Sequence, residues 1–222
     1  MPGSTAAPSP HNRRLVLNAG SGPATSRNFH RGFDPEGWSA IRFDINPAVE
    51  PDVVGTVTDM RGQFADATFD AVWSSHNLEH LRAHEVLPAL LEFQRILKPT
   101  GFALLTCPDV EAIAALVTRH GLDHVAYESA AGPITAHDML FGHSASIAAG
   151  DVYMAHNTGF SQDSLGRIAM QAGFEEAQVG KDHSFNLWAL LLMPDAPEDV
   201  VVRCLRGTDA EFLLRFEAAL PG

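Results

Sequence analysis

Histidines and acids in this sequence fall where short apolar runs end. Asp44 closes one run and His76 another, Asp59 ends a further stretch, and Asp109 follows Cys107-Pro108. His137, His143 and His156 lie in a glycine-rich segment further on. A histidine or carboxylate placed this way can accept a proton from a hydroxyl or an amine. His76, Asp109, His137, His143 and His156 are therefore the candidates for acid–base work. The run Leu15-Val16-Leu17-Asn18 ends in Ala19-Gly20-Ser21-Gly22-Pro23. Small residues there let a ligand approach the backbone, and glycine admits the positive φ of a tight turn.

Other chemistries find less support. His80 and His84 are four apart, as are His76 and His80, a spacing that would put two imidazoles on one helical face. There is no His-Glu-x-x-His and no evident third or fourth ligand, so no metal centre is expected. No Gly-x-Ser-x-Gly elbow occurs, and Cys107 before Pro108 reads as a small buried residue rather than a nucleophile.

The elements that would hold these residues follow from hydrophobic pattern. Strands are expected at Leu15–Leu17, Ala40–Ile45, Phe69–His76 and Phe102–Cys107, with a second acid-ended stretch from Val53 to Asp59. A helix fits 83–97, where Val86, Leu87, Leu90, Leu91, Phe93, Ile96 and Leu97 recur at the spacing of one buried face. Pro88 is tolerable near the start of that helix, and Lys98-Pro99-Thr100-Gly101 would stop it. Residues 24–39 read as loop with at most a short helix. A helix from Glu111 to His120 precedes a loop-rich insertion, and Ser161 caps a helix ending at Gly173. Ala177–Val179 and Leu187–Met193 make a closing pair of strands, and the tail with Phe212, Leu213 and Phe216 makes a packed helix. This order predicts an α/β fold: one Rossmann-like, doubly wound, mostly parallel sheet with an antiparallel closing strand and an insertion after the fifth strand. Ligands of such sheets sit at the carboxyl ends of the strands, where Asn18 to Gly22, Asp44, Asp59, Ser74 to His76 and Asp109 fall.

Bulk properties narrow the partners. The chain has 222 residues, 45% of them hydrophobic, and a formal net charge of −12. That charge argues against nucleic acid or an anionic membrane as the main partner, and no apolar run is long enough to span a bilayer. Two cysteines without a metal spacing fit a reducing compartment, with the cytoplasm as default, although the two could in principle pair. Residues 1–12 read as a disordered leader, residues 13–222 as one domain, and 110–160 as a lid within it.

Several motifs together resemble a family. Leu17-Asn18-Ala19-Gly20-Ser21-Gly22-Pro23, Phe43-Asp44-Ile45-Asn46, Phe69-Asp70-Ala71-Val72, Ser75-His76-Asn77-Leu78-Glu79-His80-Leu81 and Arg95-Ile96-Leu97-Lys98-Pro99-Thr100-Gly101 are similar to class I S-adenosylmethionine-dependent methyltransferases, and most to the type-11-like group. His156-Asn157-Thr158-Gly159-Phe160 and Ala172-Gly173-Phe174 extend the likeness over roughly residues 14–180. The resemblance implies S-adenosylmethionine as cofactor. Asp44, with Ile45 beside it, would take the ribose hydroxyls. Asp59 would take the adenine amino group, and the Met60 N–H would face a ring nitrogen. Ala19-Gly20-Ser21-Gly22 would lie against the methionine tail, and Ser75-His76 would border the sulfonium. Asn18 stands where the group usually carries an acid, so its hold on the ammonium is uncharged. Methyl transfer to O or N of a small-molecule or glycan-type acceptor follows, with His156 the favoured base and His137 and His143 on the substrate side. A non-catalytic cofactor-binding protein is the alternative. An NAD(P)-dependent oxidoreductase fits less well, because Thr25 stands where the dinucleotide fingerprint needs glycine.

Overall fold

A computed structural model describes residues 13–25, 29–129 and 132–214. The expected leader at 1–12 and the tail position Phe216 lie outside the described residues. In chain order the strands are β1 (Arg14–Ala19), β2 (Trp38–Asp44), β3 (Val53–Val54), β4 (Phe69–Ser75), β5 (Leu97–Pro108), β6 (Val125–Ser129), β7 (Gly132–Thr135), β8 (Glu176–Lys181) and β9 (Asn186–Leu192). Seven form one sheet in the order β3-β2-β1-β4-β5-β9-β8, and β6 and β7 form a separate hairpin. β1 runs parallel to β2 and β4, and the parallel set continues to β3 and β5. β9 is antiparallel to both β5 and β8. The mostly parallel doubly wound sheet with an antiparallel strand is thus present, with that strand lodged inside the closing pair.

Adjacent strand residues point to opposite faces, and both faces here are covered. Leu17 joins a core with Phe43, Phe93, Leu105 and Leu165. Its neighbour Val16 joins a second core with Phe33, Trp38, Trp73, Trp188 and Val201. Helices α1 (Val86–Ile96) and α5 (Gln162–Gln171) pack on the first face, and α6 (Glu198–Leu205) packs on the second.

Some local expectations shift. α1 starts at Val86 rather than 83, which places Pro88 in its first turn, where proline removes no intrahelical bond. Leu91, expected on the buried face, is 46% exposed. The inward position next to it belongs to Glu92, whose carboxylate takes the Met60 N–H and both sides of the Arg95 guanidinium. The chain passes from α1 directly into β5 at Leu97, so Lys98–Gly101 are strand and not a stop. The insertion is more ordered than its composition suggests. Beyond α2 (Val110–His120) and the β6–β7 hairpin it holds α3 (Ala136–Phe141), started by a Thr135–Asp138 capping box, and α4 (Ser144–Ala148). These pieces share a small core of Ile113, Ala136 and Met139. The described tail is a 3-10 turn at Glu211–Leu213, not a long helix. Both cysteines are free and buried.

Two features of this frame can be measured. Gly20 has φ +69, and a Cβ there would lie 2.5 Å from Asn77 Cγ. Asn77 donates to Ser74 Oγ, which donates to the Ala19 carbonyl, so the loop after β4 is tied to the end of β1 at that point. Gly20→Ala is expected to cost about 3 kcal/mol from left-handed strain plus overpacking. Adding Asn77→Ala should return only part of it; denaturant unfolding of the four-member cycle reads both numbers. His30 is buried among Phe33, Trp73 and Trp188, and its Nε2 has no hydrogen-bond partner among the described residues. Burial lowers its pKa to about 4. The unfolded chain therefore binds a proton below about pH 6.5 that the folded chain refuses until about pH 4. Stability from this group is complete above pH 6.5 and falls as pH drops toward 4. Between pH 7.5 and 5 the wild type should lose about 2 kcal/mol more than His30→Phe, and equal slopes would discard the assignment.

Candidate functional site

A cleft of about 760 Å³ opens at the carboxyl ends of the parallel strands, large enough for a nucleoside-sized ligand and a second molecule. Its floor is made by five strand ends: Gly20–Pro23 after β1, Asp44–Asn46 after β2, Gly55–Val57 after β3, Ser75–Asn77 after β4 and Pro108 on β5. The insertion supplies its far wall.

Asp44 organises the near end. Its Oδ2 accepts the Gly22 N–H at 2.9 Å and its Oδ1 accepts the Asn46 N–H at 2.9 Å. Gly20 and Ser21 donate to the Phe43 carbonyl, and the Arg42 guanidinium donates to the Gly22 carbonyl. The turn after β1 is therefore bolted to the end of β2. Each Asp44 oxygen keeps a second lone pair for a ligand hydroxyl.

At the far end, His76 has φ +48, a left-handed conformation costly for a side chain with a Cβ. It holds this shape between the Thr106 carbonyl, which its N–H reaches at 2.9 Å, and Glu79, whose Oε1 lies 3.1 Å from His76 Nδ1. Desolvation acts to lower the His76 pKa, but the Glu79 carboxylate outweighs it and the net shift is upward. Burial acts to raise the Glu79 pKa, and the His76 partner brings it below the usual carboxylate range. Glu79 is 1% exposed.

The insertion is fastened to this same turn. The Glu79 carbonyl accepts the N–H of Asn157 at 2.8 Å and of Thr158 at 3.2 Å, and Asn157 Nδ2 donates to the His80 carbonyl. His156 is thereby set against His80, ring centres 5.0 Å apart. His80 Nδ1 lies 3.1 Å from the Ala155 carbonyl and His156 Nδ1 lies 3.1 Å from the Met139 carbonyl. A carbonyl only accepts, so both Nδ1 atoms carry the proton and both Nε2 atoms offer a lone pair in the neutral ring. Burial lowers the His156 pKa and favours that neutral form. His143, hydrogen-bonded to Ser146 Oγ, lines the cleft with Asp138, Met139 and Tyr153.

The sequence-predicted residues divide. Gly20, Ser21, Gly22, Asp44, Ile45, Ser75, His76, His143 and His156 all line the cleft. Asn18 and Ala19 are buried in β1 behind the turn and do not. Asp59 does not reach it: both its oxygens take the Arg61 guanidinium, at 2.8 and 2.9 Å, on the exposed surface. Met60 is fully buried and its N–H is occupied by Glu92. β3 ends at Val54, so Gly55, Thr56 and Val57 occupy the cleft edge expected for Asp59 and Met60. Asp109 does not line the cleft. It is 1% exposed, caps α2 through the Glu111 N–H, and pairs with Lys181 at 3.0 Å. His137 points away from the cleft toward Ser144 and Phe141. Glu79 and His80 were missed as site residues because their partners in the insertion are more than 70 residues away. The i, i+4 pairing of His80 with His84 also dissolves, since His80 ends a 3-10 turn and α1 starts only at Val86.

Comparisons with known proteins agree with this arrangement. Residues 20–105 match the methyltransferase domain family of type 11. A Pyrococcus horikoshii OT3 protein shares the fold at TM-score 0.54 and 15% identity, over 82% of this chain and 83% of that one. A SAM-dependent methyltransferase from Archaeoglobus fulgidus does so at TM-score 0.52 and 14% identity, over 81% and 86%. One from Aquifex aeolicus does so at TM-score 0.51 and 14% identity, over 81% and 82%. No curated protein sequence matches the chain. No helix among the described residues is long and apolar enough to cross a membrane. Residues 20–105 are similar to a methyltransferase domain, and the chain shares the fold of solved S-adenosylmethionine-dependent methyltransferases.

Proposed function

We propose that this protein transfers the methyl group of S-adenosylmethionine to an oxygen or nitrogen of a small-molecule or glycan-type acceptor, in the cytoplasm. The observation that carries the reading is the single cleft running from the Asp44-bolted glycine turn, past His76, to the histidines of the insertion. The cofactor fits the near end by chemistry. The free lone pairs of Asp44 suit two ribose hydroxyls, and Ile45 and Val57 suit the faces of an adenine. Thr56 takes the place that the sequence pattern gave to Asp59. The methionine tail lies along Gly20–Gly22, and the sulfonium comes to Ser75 and His76. The cleft carries Asp44, Glu79, Asp138 and Asp151, a negative lining that favours a cationic cofactor over its neutral product.

In the transfer, a lone pair on the acceptor attacks the methyl carbon as the carbon–sulfur bond breaks, and that bond pair returns to sulfur. The acceptor gives up one proton. His76 and His156 line the cleft and are the groups proposed to receive it, and His143, with the apolar Met139 and Tyr153, contacts the acceptor body.

Titration of the purified chain with S-adenosylhomocysteine, S-adenosylmethionine and NADH tests the cofactor half. The sulfur ligands should bind and NADH should not. Asp44→Ala should weaken binding at least tenfold, about 1.4 kcal/mol, while Asp59→Ala leaves it within twofold. Loss in Asp59→Ala with retention in Asp44→Ala would reverse the placement, and absence of binding by either sulfur ligand would remove the reading.

A further inference from the structure

Glu79, His80 and His156 place one potential ligand atom each within 4.8 Å of one another. The environment of each residue matches what a metal requires. Glu79 Oε2 is buried and has no hydrogen-bond partner among the described residues, although an unpaired buried carboxylate oxygen is costly. Its other oxygen is held by His76, which fixes the plane of the carboxylate. His80 and His156 each donate Nδ1–H to a backbone carbonyl. That is the outer-shell arrangement that fixes the tautomer and aims a neutral Nε2 at an ion. All three residues line the cleft, so an ion among them would keep open positions facing its interior.

We infer that these three residues form a binding site for a first-row divalent cation such as Zn²⁺, Mn²⁺ or Co²⁺. Two imidazoles and one carboxylate suit such ions, whereas Mg²⁺ and Ca²⁺ favour oxygen donors. Zinc–ligand bonds of about 2.1 Å put tetrahedral donors about 3.4 Å apart, so the donor separations close by up to about 1.4 Å on binding. The site lies on the acceptor side of His76. There an ion would hold an acceptor oxygen as a Lewis acid and lower the pKa of its hydroxyl. The proton then goes to His76 or solvent, and His156 serves as ligand instead of base. This acceptor role rests on the methyltransferase reading, but the metal site does not.

Co²⁺ titrated into the full-length, chelator-treated chain is the test, with visible absorption reporting coordination. One saturable equivalent is expected. Its affinity should fall at least tenfold in His80→Ala, in His156→Ala and in the shape-preserving Glu79→Gln. His120 and His124 stack 4.6 Å apart elsewhere on the chain, so His120→Ala/His124→Ala is the control and should bind as wild type. Co²⁺ should also raise the melting temperature of wild type and not of His80→Ala, while binding of S-adenosylhomocysteine shows that each variant is folded. Absence of a saturable equivalent overturns the site. So does binding that survives His80→Ala/His156→Ala or disappears with His120 and His124. Metal binding as expected without any S-adenosylhomocysteine binding would leave the site standing and remove only the methyltransferase reading.

Discussion

The short turn after β4 is the constraint on which the rest of the site depends. Glu79 lies buried there, its carboxylate on His76 and its carbonyl taking two amides from the end of the insertion. One residue thus joins the strand end at the floor of the cleft to the insertion that forms its far wall. The desolvation of that carboxylate is offset by His76, and the hydrogen bond in turn holds His76 in a left-handed conformation that an isolated peptide would avoid. The Asn157 and Thr158 amides on the Glu79 carbonyl, Asn157 Nδ2 on the His80 carbonyl and His80 Nδ1 on the Ala155 carbonyl together set His156 against His80.

The near end of the cleft follows a different logic, in which backbone supplies the shape and one carboxylate the chemistry. Asp44 accepts from the two loops on either side of it. That fixes the distance between the glycine turn and the end of β2 before any ligand arrives. Preorganisation of this kind reduces the ordering that binding would otherwise have to impose. Asn77 fills the space a side chain at Gly20 would need, so the turn is held from the β4 side as well.

Acidic residues in this chain divide by what lies within two or three positions of them. Asp59 has Arg61 two residues on and folds onto it at the surface. Asp109 sits at the start of α2, where free N–H groups attract it, and Lys181 completes its pairing. Glu92 reads as an exposed helix position but faces inward, because Arg95 one turn away and the Met60 amide neutralise it. Asp44 and Glu79 are among the acids that line the cleft. A local basic neighbour is the signal that could have set Asp59 aside from sequence alone.

What the sequence determined by itself was the framework. Apolar strand runs, a glycine turn, the helical periodicity within 83–97 and a Ser161 cap are local patterns, and local backbone preference with period-2 or period-3.6 burial is enough to specify them. The parallel sheet and the gathering of its carboxyl ends follow, which is why Gly20, Gly22, Asp44, Ser75 and His76 were legible as residues of the strand-end cleft. The tertiary structure decided which of the remaining polar groups meet. The exit of β3 at Val54 turned Gly55–Val57 inward and Asp59 outward, and the order of the insertion came from a small core that no single segment displays. His156 reaches His80 and Glu79 through hydrogen bonds that close a loop across more than 70 residues. A hydrogen bond over that separation leaves no periodicity in the chain, since its partners are chosen by packing and not by spacing.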